Sequence, residues 1–143
     1  MINVYDFSPL IEEAFSKNKE FIMPVKGTSM LPFIKEEDKV VINKPTSLKK
    51  DDIILYRRNE KTFVLHRIYK IKNDCFYMLG DNQFKVEYPI YENQILAKVT
   101  YIIKNEKRKP LKGIKYKMYL LLNRNLFIRR VFIHIRRKKY EKK

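Results

Sequence analysis

Tryptophan is absent from this chain of 143 residues, and cysteine, histidine and glycine number one, two and three. A lone Cys75 excludes an intramolecular disulfide framework and a thiolate zinc cage, and His66 with His134 are too few for a multi-histidine metal centre. Neither a metal nor another cofactor is expected. No uninterrupted apolar run approaches the roughly 18 residues a spanning helix needs. The nearest stretch, 116–135, is broken by Lys117, Asn123, Arg124, Asn125, Arg129, Arg130 and His134. The opening MINVYDFSPLIEE also lacks the basic-then-apolar order of a secretory leader, so the expected compartment is the cytoplasm.

Acidic residues are scarce at one end. Residues 1–103 hold 16 basic and 14 acidic side chains, a net +2, while 104–143 hold 16 and 2, a net +14. The excess charge therefore sits in a C-terminal extension, which will attract polyanions such as nucleic acid or an anionic lipid surface. With 45% hydrophobic and 13% aromatic residues the chain has enough apolar material for a core, and a globular domain is expected despite its charge.

Hydrophobic patterning divides the sequence in three. In residues 1–20, Ser8-Pro9 followed by Leu10, Ile11, Ala14 and Phe15 predicts a short helix with Ser8 as its cap and Pro9 at its first position. Residues 21–103 contain six short runs rich in Ile, Val, Phe and Tyr: Phe21–Val25, Lys39–Ile42, Ile53–Tyr56, Phe63–Ile71, Phe76–Leu79 and Ile95–Ile103. Turn-like polar segments such as Lys44–Ser47, Arg58–Lys61 and Asn73-Asp74 separate them, which predicts a small, mostly antiparallel β domain. Residues 104–143 form the basic tail. Its segment 113–139 has no proline and reads as helix, with Asn123-Arg124-Asn125 able to divide it in two. Arginine pairs at 129–130 and 136–137 recur at a spacing of seven and so lie on nearly the same helical face.

Two of the three glycines stand beside polar residues able to do chemistry, in Gly27-Thr28-Ser29-Met30-Leu31-Pro32 and Gly80-Asp81-Asn82. Glycine is needed where φ is positive or where another segment approaches closely, so these are either ordinary turns or the walls of a substrate groove. His66 follows the apolar run Phe63-Val64-Leu65. A serine hydroxyl is a weak nucleophile until a base takes its proton, and the base is usually held by a third group. Ser29, His66 and Asp81 supply those three residue types; taken alone, His66 equally suits a half-buried strand histidine. His134 reads as part of the basic face.

These segments, with Glu37–Val41, Lys50–Ile54, Leu65-His66-Arg67-Ile68 and Ile95–Val99, resemble the ordered motif series of the signal peptidase and LexA-like serine peptidase superfamily over about residues 21–103. The resemblance implies a LexA/signal-peptidase-like β domain, a nucleophile at Ser29 and a base at His66. Histidine at that place is similar to the archaeal and endoplasmic-reticulum type rather than the lysine-dependent bacterial type. It also places an acid at Asp81, and Gly27, Thr28 and Met30 around the substrate and oxyanion. Position 27 is glycine where many signal peptidases carry serine, so oxyanion donors must be backbone N–H groups such as that of Ser29. The second aspartate often found after Gly-Asp-Asn is missing, with only Glu87 nearby.

Two functional readings follow. One is a cytoplasmic serine endopeptidase acting on a peptide or protein substrate, a leader or precursor bound as an extended strand beside Ser29. The other is a non-catalytic peptide-binding or regulatory module of the same fold. In either case residues 111–139 suit an anionic membrane surface better than nucleic acid, since a phosphate backbone has little use for their apolar side chains, and the same side chains are equally suited to packing on the β domain.

Overall fold

The computed structural model describes residues 7–142, apart from the Tyr140 side chain. Helix α1 (Ser8–Ser16) precedes strands β1 (Phe21–Pro24), β2 (Lys39–Asn43), β3 (Ile53–Asn59), β4 (Thr62–Lys72), β5 (Cys75–Leu79), β6 (Glu87–Ile90), β7 (Ile95–Lys104) and β8 (Lys107–Pro110). Helices α2 (Ile114–Arg124) and α3 (Leu126–Glu141) follow. The strands form one antiparallel sheet in the order β1-β2-β7-β3-β4-β5-β6, with β8 added to β7. The expected mostly β architecture, with a short leading helix and a helical C-terminal extension, is what the chain adopts. Among the described residues no helix is long and apolar enough to cross a membrane.

The run Ile53-Ile54-Leu55-Tyr56 is apolar without alternation because β3 is covered on both sides. Successive side chains of a strand leave by opposite faces. Ile53 and Leu55 join one core with Met23, Met30 and Val99, while Ile54 and Tyr56 join a second with Val64, Ile68 and Met78. This places Tyr56, and the even-numbered residues of β4 paired with it, in one layer. The register sets Ile54 opposite His66 and Tyr56 opposite Val64, so Tyr56 and His66 are diagonal neighbours on a shared face.

Two local details differ from the sequence reading, and a third follows it. Strands β6 and β8 were not expected: Glu87-Tyr88-Pro89-Ile90 contains a proline, and Lys107-Arg108-Lys109-Pro110 is exposed throughout, so neither carries a hydrophobic strand pattern. Ser8 is not the cap of α1, since Phe7 holds that position without a side-chain bond and Pro9 falls within the first turn. The helical break falls at Asn125, whose Oδ1 accepts from the N–H groups of Phe127 (3.0 Å) and Ile128 (3.1 Å) and caps α3.

Candidate active site

Ser29 lies in a series of tight turns between β1 and β2. The Leu31 N–H donates to the Thr28 carbonyl (3.2 Å) and the Ile34 N–H to the Met30 carbonyl (2.9 Å). Met30 and Ile34 are buried and tie these turns to the first core. Gly27 enters them at φ +88, which a side chain rarely adopts, and its N–H is committed to Glu36 Oε1 at 2.8 Å. The second glycine loop meets the first directly: the Asn82 N–H donates to the Ser29 carbonyl at 2.8 Å. A Cβ on Gly80 would stand 2.7 Å from that carbonyl oxygen and 2.8 Å from Gln83 Oε1. Close approach, not a special φ, is therefore what position 80 requires. Gly80→Ala is expected to force the loops apart at a cost of about 1–3 kcal/mol, read as a lower melting temperature in thermal unfolding.

His66 is buried in β4, 2% exposed. Its Nδ1 lies 3.1 Å from the Tyr56 hydroxyl, and its Nε2 is the one buried side-chain nitrogen or oxygen without a hydrogen-bond partner among the described residues. Burial lowers its pKa from 6.5 to about 4; the Glu87 charge opposes that shift and the Arg58 charge reinforces it. The imidazole is thus neutral near pH 7. Burial raises the Tyr56 pKa far above its ordinary value, helped by the Glu87 charge and a hydrogen bond to Glu87, so Tyr56 keeps its proton. Glu87 is gripped by Arg58 through Nε (2.9 Å) and Nη2 (2.8 Å). Burial works against the Glu87 charge, but the Arg58 hydrogen bonds and charge outweigh it and lower the pKa. Of the acidic side chains, Glu87 has the larger effect on the His66 charge, ahead of Asp81.

Asp81 goes elsewhere. Arg67 follows His66 in β4 and leaves the strand by the opposite face, where its Nε and Nη2 each donate to the Asp81 carboxylate at 2.8 Å. The Tyr119 hydroxyl (2.8 Å) and Asn123 Nδ2 (3.2 Å), both from α2, complete the set of donors. The remaining Arg67 nitrogen, Nη1, donates to the Asp51 carbonyl and the Tyr116 hydroxyl, both at 2.9 Å. Asp81 and Arg67 are 0% and 4% exposed at their side chains, so this is a buried, fully hydrogen-bonded ion pair. The expectation that Asp81 holds His66 is corrected on this geometry, because its four donors come from Arg67, Tyr119 and Asn123, and the ring nitrogen it would orient faces Tyr56.

Gly27, Thr28, Ser29, Met30 and His66 all line one cleft of 740 Å³, and Asp81 does not. Asn82 also lines it, as do Arg136 and Arg137 of α3, so the C-terminal extension supplies part of the wall. The Arg136 Nε donates to Asn82 Oδ1 at 3.0 Å, and Arg129 binds the carbonyls of Gly80 (2.8 Å) and Gln83 (3.0 Å). The seven-residue arginine spacing thus puts Arg129 and Arg136 on the helical face that grips the Gly80–Gln83 loop.

Tyr56, the partner of Arg67 and the α2 and α3 contacts are not evident from motifs, though two signals were present. A tyrosine ending an apolar strand run needs a partner for its hydroxyl. An arginine inside Val64–Ile68 needs a counter-ion. Among the described residues no three His, Cys, Asp or Glu side chains converge as a metal cage.

Comparison with curated proteins returned no match. Residues 3–100 match the Peptidase S24-like family, a span that contains Ser29, His66, Tyr56 and Asp81 and most of the sheet. With the match covering well over half of the chain, and with the β domain and cleft in place, the protein belongs to the Peptidase S24-like family.

Proposed function

We propose that the protein is a serine endopeptidase in which Ser29 is the nucleophile and His66 its general base. The observation that carries this reading is the buried, unpartnered Nε2 of His66 in the same cleft as Ser29. Buried polar atoms are nearly always hydrogen-bonded, and an exception calls for a reason. A base waiting to accept a proton is such a reason. For Nε2 to present a lone pair, the imidazole carries its proton on Nδ1 and donates it to the Tyr56 oxygen 3.1 Å away. Tyr56 is then the residue that sets the tautomer, the role the sequence reading gave to Asp81. The Ser29 N–H, which has no acceptor among the described residues, is the backbone donor for the oxyanion.

The chemistry is acyl transfer. The Ser29 hydroxyl adds to a substrate carbonyl as its proton passes to His66 Nε2; the same proton then goes to the leaving amine. Water, deprotonated by the same nitrogen, releases the acyl group and restores Ser29. An extended leader or precursor peptide fits a cleft beside a sheet edge, and the branch of the superfamily implied is the serine–histidine one. The compartment proposed for it is the cytoplasm, at or near a membrane surface. The non-catalytic peptide-binding module is the second reading, favoured by the absence of a Ser29–His66 hydrogen bond among the described residues.

Incubation with a randomised peptide library and mass-spectrometric reading of new ends tests the first reading against the second. The pH profile adds a specific expectation. Because burial holds His66 near pKa 4 rather than 6.5, cleavage should persist below pH 6 and fall as pH drops through about 4. An acid limb centred at 6.5 would show that His66 is solvated when it works. The same shift has a stability consequence. The unfolded chain takes up this proton near 6.5 and the folded chain only near 4. The stability contributed above 6.5 is therefore lost as pH falls through about 4, on the order of 3 kcal/mol in all.

A further inference from the structure

The two C-terminal helices are amphipathic in the inverted sense. Their polar and aromatic side holds the domain: Tyr116, Tyr119 and Asn123 reach Arg67 and Asp81, while Arg129 and Arg136 reach the Gly80–Gln83 loop. Their apolar side is exposed. In α2, Ile114, Met118 and Leu121 are 78%, 59% and 68% exposed, and in α3, Phe127, Val131 and Ile135 are 76%, 44% and 56% exposed. Each trio is spaced at three or four residues and is two residues out of phase with the domain-facing set, about half a turn round the helix. The apolar stripes therefore look away from the domain. Exposed Lys115, Lys117, Arg130, Lys138 and Lys139 accompany them, and no acidic residue occurs in 111–139.

We infer that this outer face docks on an anionic phospholipid bilayer, with the apolar stripes entering the interface and the lysines meeting the headgroups. Charge decides the occupant. The extension carries +14, and a second copy would bring the same charge against it without one acid in 111–139 to pair. Nucleic acid would satisfy the charge but leave the six apolar side chains in water. An anionic bilayer satisfies both, which is how interfacial helices bind. Because Arg136 and Arg137 of the same helix line the cleft with Ser29, docking would hold the site at the membrane surface.

The full chain has no tryptophan, so Phe127→Trp gives a single reporter on the outer face. With phosphatidylglycerol vesicles at low salt its emission should shift to the blue, and with phosphatidylcholine vesicles or at high salt the shift should vanish. Replacing Met118, Leu121 and Phe127 together by serine should lower sedimentation with phosphatidylglycerol vesicles by about 100-fold or more. Circular dichroism checks that this variant still folds, and the tryptophan reporter decides the matter if it does not. Unchanged emission on phosphatidylglycerol would overturn the inference. So would undiminished binding by the serine variant, which would mark a purely electrostatic surface of the nucleic-acid kind, or a solution dimer that the serine variant loses.

Discussion

Asp81→Asn is expected to lower the melting temperature by roughly 10–20 °C, following a loss of about 3–5 kcal/mol, while leaving the cleavage rate per folded molecule within a few-fold of the parent. The carboxylate has 0% side-chain exposure and receives four hydrogen bonds, two of them from Arg67. An amide at this place removes the charge that compensates Arg67 and turns one acceptor into a donor facing donors. Breaking a buried pair from one side is costly because the remaining charge stays buried. Since Tyr119 and Asn123 bind the same carboxylate, α2 should loosen along with the loop. Adding Arg67→Met to Asp81→Asn should recover part of the loss, because no unpaired charge is then left. Thermal unfolding measured beside turnover separates this outcome from the alternative. An unchanged melting temperature with turnover reduced by orders of magnitude would return Asp81 to the role of orienting His66.

The sheet was legible because burial writes itself into apolar runs. All six predicted strand segments overlap observed strands, and Asn125 marks the break between the two C-terminal helices. The two strands that escaped notice lack a hydrophobic run: Lys107–Pro110 is exposed throughout at a sheet edge, and Glu87–Ile90 buries only Ile90. The cleft residues 27–30 and His66 were legible for a different reason, since their residue types and order repeat the superfamily's motifs. What the sequence could not show was which acid serves which base. His66 and Arg67 are neighbours in the chain, and alternation along β4 sends one toward Tyr56 and the other toward Asp81. Residue order places Asp81 equally near to both. The domain-facing side of the tail was hidden too, because apart from the buried Ile133 it is built from Tyr, Asn and Arg, residue types that a hydrophobic pattern assigns to solvent.

Ser29→Ala and His66→Ala are each expected to reduce peptide cleavage by about 10⁴-fold or more, with the fold retained. Ser29 is half-buried and its side chain bonds to no described residue, so alanine removes the hydroxyl and little else. His66→Ala is the more demanding change, since it opens space in a packed layer and leaves the Tyr56 hydroxyl without its 3.1 Å partner. His66→Gln keeps more of the volume and guards against a loss caused by unfolding. In the proposed mechanism Ser29 and His66 act as one unit, so the double alanine variant should be little worse than either single variant. Additive losses would mean that the two residues serve separate steps.

Covalent trapping reads the activation of the Ser29 hydroxyl directly. A fluorophosphonate reacts with a serine only when its hydroxyl is activated, and mass spectrometry of the digested protein locates the adduct. Stoichiometric labelling is expected at Ser29 in the parent chain, with strong reduction in His66→Gln and labelling of folded Asp81→Asn at close to the parent rate. A parent protein that cleaves no peptide and takes no label at Ser29, while still binding extended peptides, would contradict the peptidase reading and leave the binding-module reading in its place.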